Sequence, residues 1–146
     1  VDGRGNRLTY VAHGVVSTPP KTPFAVRLNQ LYDGCVALIA KHSPDAVAIE
    51  KLYFVQNITT GIAVAQARGV IALAAAQAEL PIGEYTPLEV KNAVTGYGKA
   101  AKHQVQEMVK ILLNLEAIPK PDDAADGLAL AICQIHAGAL PKAAEG

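Results

Sequence analysis

Long apolar runs are missing from this 146-residue chain: no stretch could span a bilayer, and the start carries no secretory signal pattern. A soluble, intracellular protein is therefore expected. Cysteine is scarce too. Cys35 and Cys133 lie far apart, without C-x-x-C spacing, inside apolar helical patterns, so they read as buried free thiols rather than a disulfide framework or a thiolate zinc site. His13, His42, His103 and His136 show no metal-ligand spacing and read as surface or structural residues, His103 alone being a candidate phosphate neighbour. Net charge is absent as well. Thirteen basic residues balance thirteen acidic ones, which neither requires nor excludes a polyanionic partner, so only the local distribution is informative. Repeats and low-complexity linkers are lacking. With 51% hydrophobic and 18% charged residues, the composition is that of one globular domain, able to bury about two-thirds of its unfolded surface. Residues 137–146, "AGALPKAAEG", read as a tail that frays.

What is present is an alternation of strands and helices. Leu8 to Thr18, after the turn-like "DGRGN", is rich in β-branched residues and reads as two short strands or one bent one. Prolines at 19, 20 and 23 break the chain before Phe24, Leu28, Leu31, Cys35, Leu38 and Ile39, whose spacing of three and four predicts a helix ending near "KHSPD". Ala46 to Glu50 reads as a buried strand, and a long helix from about Ile58 to Glu79, capped near Asn57, follows. "PIGEYT" is a further strand. Thr86-Pro87-Leu88-Glu89 is a capping box with proline at the first helical position. Gly96 and Gly98 interrupt that helix, another runs to about Leu115, and a last one carries "AADGLALAICQIHA". The order implies an α/β fold with a mixed central sheet flanked by helices.

Two constellations carry chemistry. Asp123 and Asp126, three apart at the start of the last helix, share one face, with Asp122 placed to cap it. Helix N-termini favour aspartate through capping and the macrodipole, which accounts for many such pairs. Asp126, however, sits in an alanine- and leucine-rich run where an unpaired charge is costly to bury. Glu50 poses the same difficulty at the end of an apolar strand, and in open α/β sheets the carboxyl ends of strands are where sites form. Carboxylates without a His or Cys set point to a hard cation, magnesium or manganese, rather than zinc. The second constellation is basic: Lys91, Lys99, Lys102, His103 and Lys110 stand against one acid, Glu107. A solvated helix face explains it equally well in isolation. Beside the acids, cations to hold a polyanion and glycine N–H groups at Gly96 and Gly98 to approach a phosphate acquire a purpose.

"AIEKLYFVQN", "AQARGV", "EYTPLEVKNAVTGYGKAAKHQVQEMV" and "DDAADGLALAI", in this order from about Leu8 to His136, resemble the RuvC family of bacterial Holliday junction resolvases. The resemblance implies an RNase H-like fold and a cytoplasmic homodimer that nicks four-way junction DNA symmetrically in recombination and repair. It also implies the RuvA-RuvB branch-migration complex as partner, no membrane, and two Mg²⁺ ions per subunit, about 4 Å apart, with Mn²⁺ as substitute. Position by position it assigns Glu50, Asp123 and Asp126 as catalytic metal ligands, Asp122 as a neighbour, and Lys91 and Lys102 as residues close to the scissile phosphate. Lys99 joins them as a DNA-binding residue. Tyr53, three after Glu50, matches an aromatic position, usually phenylalanine, that stacks near the junction centre. Gly61, Ala65 and Gly69 form a small-residue stripe that on spacing alone suits packing on its own sheet or a dimer, and the resemblance favours the dimer. Arg68 bridges that interface or caps a surface.

The departures are specific. Family members begin with a strand carrying "GIDPG", whose aspartate is a fourth metal ligand, whereas the sequence here opens at "VDGRGN". An N-terminally shortened chain is expected, the native polypeptide carrying roughly fifteen to twenty further residues with an aspartate among them. Gly127 replaces the family's alanine at a cost of about 1 kcal/mol in a helix. Two other readings stay open: a junction-binding module without catalysis, and another nuclease of this fold acting on branched DNA or RNA. Cutting of a synthetic four-way junction in magnesium, compared with RNA hybrids and plain duplex, separates the three.

Overall fold

The computed structural model describes residues 1–51 and 58–137. Two strands, β1 (Asp2–Arg4) and β2 (Arg7–Thr9), form an antiparallel hairpin turned at Gly5 and Asn6. Residues 10–18 take no regular structure, so the strand expected over Leu8 to Thr18 is displaced toward the N-terminus. The reason is local: Gly5 at φ +59° supplies the tight turn, and "DGR" pairs with "RLT" across it. Helix α1 (Phe24–His42) follows the prolines and ends on Ser43, whose N–H donates to the Ile39 carbonyl. Strand β3 (Val47–Glu50) then leads, beyond residues 52–57, to α2 (Ile58–Gln77) and β4 (Ile82–Tyr85). The three remaining helices are α3 (Pro87–Thr95), α4 (Lys102–Leu112) and α5 (Asp122–His136).

Strands β3 and β4 pair in parallel, with Ala48 opposite Gly83 and Glu50 opposite Tyr85. Among the described residues the strands thus form two small sheets, one antiparallel and one parallel, within a mixed α/β arrangement. Side chains alternate across a strand, so Ala48, Glu50, Gly83 and Tyr85 share one face of the parallel pair and Ile49 and Glu84 the other. Arg68 of α2 ion-pairs with Glu84, and Gln134 of α5 accepts a hydrogen bond from Tyr85. Hence α2 lies over one face and α5 over the other. Helix α1 packs along α2.

The helix predicted at Pro87 forms as expected. Thr86 Oγ accepts from the Glu89 N–H at 3.0 Å, and Gly96 closes the far end at φ +75° with its own N–H on the Asn92 carbonyl. Buried Val94, Val109, Leu113, Leu128, Ala129 and Ile132 bring α3, α4 and α5 into one core, and Leu8 and Tyr10 pack on its edge. Cys133 is buried, and burial beside the Glu89 carboxylate pushes its thiol up to about 11, as an inert core thiol requires. Cys35 is free but only half-buried. Among the described residues no helix is long and apolar enough to cross a membrane.

Ile132 is fully buried at the centre of that core. Ile132→Ala should cost about 2 to 5 kcal/mol in equilibrium urea unfolding, because the cavity adds to the lost transfer energy. A change below 1 kcal/mol, on the scale of an ordinary surface substitution, would mean that α5 is not the core's organising helix.

Candidate active site

Glu50 owes its position to the end of β3. The strand's last residues are tied on both sides: the Lys51 N–H donates to the Tyr85 carbonyl at 2.8 Å, and Arg68 Nε donates to the Glu50 carbonyl at 3.3 Å. Arg68, to which sequence reasoning gave only a bridging or surface role, therefore fastens the strand end while its guanidinium pairs with Glu84. The motif "QARG" carried that signal, but only the parallel register places its partner beneath it.

The Glu50 side chain emerges on the face that α5 covers. Burial raises its carboxyl above the ordinary range, and the Asp126 carboxylate raises it further. Asp126 is shifted the same way, chiefly by burial, with Asp123 and Asp122 adding to the rise and Lys102 opposing it. The sequence placed Asp126 among apolar residues. Its neighbours Ala124, Ala125 and Leu128 are indeed buried, but Asp126 itself lies on the open side of α5, because apolar residues three and four apart claim the opposite face.

Asp122 does not cap α5. The N-cap is Pro121, and Asp122 is the first helical residue, held from α4 by Gln106 Nε2 at 3.2 Å and by Lys102 Nζ at 3.5 Å. These two contacts join the start of α4 to the start of α5. Lys102 is thereby stationed beside the acids. Lys91 lies half-buried on α3, and Lys99 is exposed in the connection between α3 and α4. The Gly96 N–H, read as free for a phosphate, is already used by the helix cap. His103 stands 3.7 Å from Glu107, one turn along an exposed face. Tyr53 falls in 52–57, outside the described residues.

The donor chemistry suits a hard cation. Glu50 and Asp126 disfavour one another's charge, a penalty that a divalent ion would relieve. Among the described residues no three His, Cys, Asp or Glu side chains converge on a single point. That is not the closed cage of a structural metal. Magnesium is commonly held by one or two carboxylates with water and substrate phosphates completing its shell, and these residues fit that pattern.

Known proteins resemble this chain along nearly its whole length. The family model described as crossover junction endodeoxyribonuclease RuvC matches residues 1–134. A protein of that name from Heliobacterium modesticaldum is 54% identical over 136 residues, covering 93% of this chain and 84% of its own length. Its counterpart from Rubrobacter xylanophilus is 56% identical over 129 residues, 88% of this chain and 72% of the relative. Among solved structures, T. thermophilus RuvC in complex with Holliday junction substrate superposes with a TM-score of 0.89 at 30% identity, over 94% of this chain and 84% of that one. A second solved structure, of Thermus thermophilus RuvC, gives 0.85 at 32% identity, with the same coverage of both chains. The fold is accordingly the RNase H-like α/β fold of those neighbours. Matched by that family model over residues 1–134 and by relatives more than 50% identical along most of their own length, this chain belongs to the RuvC family of crossover junction endodeoxyribonucleases.

Proposed function

We propose that this chain resolves four-way DNA junctions by metal-dependent phosphodiester hydrolysis, with Glu50, Asp123 and Asp126 as the ligands of two magnesium ions. The observation that carries the reading is the placement of Glu50 at the end of a strand on which α5 packs, with Asp126 of that helix close enough for its charge to raise the Glu50 carboxyl. Relatives named crossover junction endodeoxyribonucleases and a neighbour solved with a junction supply the substrate class. Magnesium, when bound, would supply Lewis acidity toward the phosphoryl oxygens and lower the pKa of a bound water. The chain's own residues bind and orient. Glu50, Asp123 and Asp126 hold the negative charge that recruits the cation, and Lys91, Lys99 and Lys102 face the DNA's phosphates with compensating positive charge. Lys102, anchored on Asp122, keeps its ammonium within reach of both acids and substrate. Tyr53 stacks on an unpaired base at the junction centre, a contact worth about 1 to 3 kcal/mol.

The same reading makes the protein a homodimer, whose two-fold symmetry suits two symmetrical nicks. Support comes from α2. Ile62, Ala65, Gly69 and Leu73 recur at helical spacing and are all exposed, so this face of α2, which takes in Ala65 and Gly69 of the small-residue stripe but not half-buried Gly61, points away from the chain's own sheet. Ile62 and Leu73 are 55% and 51% exposed, a large apolar display for a monomer.

Three outcomes follow from these arguments. In the full-length protein, Glu50→Gln and Asp126→Asn should each lower cleavage of a synthetic four-way junction by at least about a hundredfold, while junction binding in calcium persists. Undiminished cutting in either variant would give that acid a structural role only.

The raised carboxyls also set the sign of a pH effect. A carboxyl whose folded pKa exceeds its unfolded value binds protons preferentially in the folded state, so metal-free stability rises as pH falls through that interval and is lower above it. Glu50→Gln should accordingly raise the metal-free Tm at neutral pH, by about 1 to 3 °C since partial exposure screens the repulsion. Calorimetry at neutral and mildly acidic pH reads both effects, and a lowered Tm at both would contradict the like-charge coupling.

Finally, Ile62→Glu combined with Leu73→Glu should yield a monomer in sedimentation equilibrium and abolish paired nicking. A dimer that survives both charges would place the interface elsewhere.

A further inference from the structure

Tyr85 stands beside Glu50 on the neighbouring strand and on the same face, yet its ring does not follow Glu50 toward the open end of the sheet. It folds back over Gly83. A Cβ added at Gly83 would lie 2.8 Å from the Tyr85 hydroxyl and 2.9 Å from Cε2, and would overlap Gln134 Oε1. The hydroxyl donates to Gln134 Oε1 at 2.6 Å, and Gln134 is buried on the underside of α5. Gln134 lies two turns beyond Asp126, about 12 Å along the same helix. Glycine at 83 thus makes the space, Tyr85 fills it, and the carboxamide of α5 locks onto it.

We propose that Gly83, Tyr85 and Gln134 are positioning residues that set the height and register of α5 over β3 and β4, and thereby the separation of Asp126 from Glu50. The proposal rests on the metal-site reading above and adds the device that holds its two halves. Three observations support it. The contact joins the strand paired with Glu50 to the helix that carries both aspartates. It is polar and directional where the contacts through Leu128, Ala129 and Ile132 are apolar, and it reaches the parallel strands, whereas the ties of Asp122 to Lys102 and Gln106 and of His136 to Ala93 run to α4 and α3. Arg68 restrains the strand end from the opposite face, so the strands carry a polar restraint on each side, that from α5 being the Tyr85 bond. Metal sites respond to such supports because ligand carboxylates must be held within about 0.5 Å of productive geometry.

Manganese binding to the whole chain, measured by calorimetry beside thermal melting and junction binding in calcium, tests this. Tyr85→Phe removes one oxygen. It should weaken Mn²⁺ binding about tenfold, the lower end of the range seen when a supporting partner of a metal ligand is lost, with junction affinity changed less than about twofold. Gly83→Ala should weaken it further, by displacing the ring or the carboxamide. Tyr32→Phe deletes a comparable hydroxyl, bonded to Gln77 between α1 and α2, and should leave Mn²⁺ affinity unchanged. Unaltered Mn²⁺ affinity in Tyr85→Phe, or an equal loss in Tyr32→Phe, overturns the proposal. Should the unsubstituted chain bind no Mn²⁺ at all, the metal reading falls first. The positioning claim is then decided by the metal-free crystal structure of Tyr85→Phe: α5 displaced along or away from β3 supports it, and α5 unmoved refutes it.

Discussion

The burial of one face of α5 governs the placement of everything chemical in this protein. Ala124, Ala125, Leu128, Ala129, Ile132 and Cys133 are buried, and they press the helix onto α3, α4 and the parallel strands at once. A helix with that much apolar surface has one favourable orientation, and its remaining side must face out. Asp123 and Asp126 occupy that remaining side, Asp126 near enough to the end of β3 for its charge to act on Glu50. The small side chains matter as much as the apolar ones. Three of the six buried residues named are alanines, which let the helix axis approach the sheet closely enough for carboxylates on the two elements to sense each other.

Close approach of like charges opposes folding, and the fold surrounds it with compensation. Lys102 opposes the rise at Asp126 and is itself tethered through Asp122, while Gln106 satisfies the other Asp122 oxygen. Arg68 draws the opposite face of β4 to the Glu50 carbonyl. None of these contacts removes the repulsion between Glu50 and Asp126. On the metal-site reading proposed above, a bound divalent cation would relieve that residual penalty, with stability given up where function is gained.

Much of this was legible in the sequence, and the reasons for the rest are physical. The Thr86 cap, the proline-bounded start of α1, the apolar run ending at Glu50 and the pairing of Asp123 with Asp126 are local signals, and the structure follows them. The β1 to β2 hairpin was misplaced because the turn chemistry at Gly5 and Asn6 overrode the β-branched run after it. Asp122 was read as a cap, yet its partners lie on α4, which spacing within its own helix cannot reveal. The partners of Arg68, Tyr85 and Gln134 lie beyond local spacing for the same reason. Each acts through a residue at least sixteen positions away.

The central claim is that Glu50 and the aspartates of α5 hold metal between them. Anomalous diffraction from crystals of the full-length protein soaked in manganese measures this directly. The account predicts density bounded by the carboxylates of Glu50, Asp123 and Asp126, lost in Asp126→Asn. Manganese density that touches none of the three, or that persists undiminished in Asp126→Asn, would contradict it.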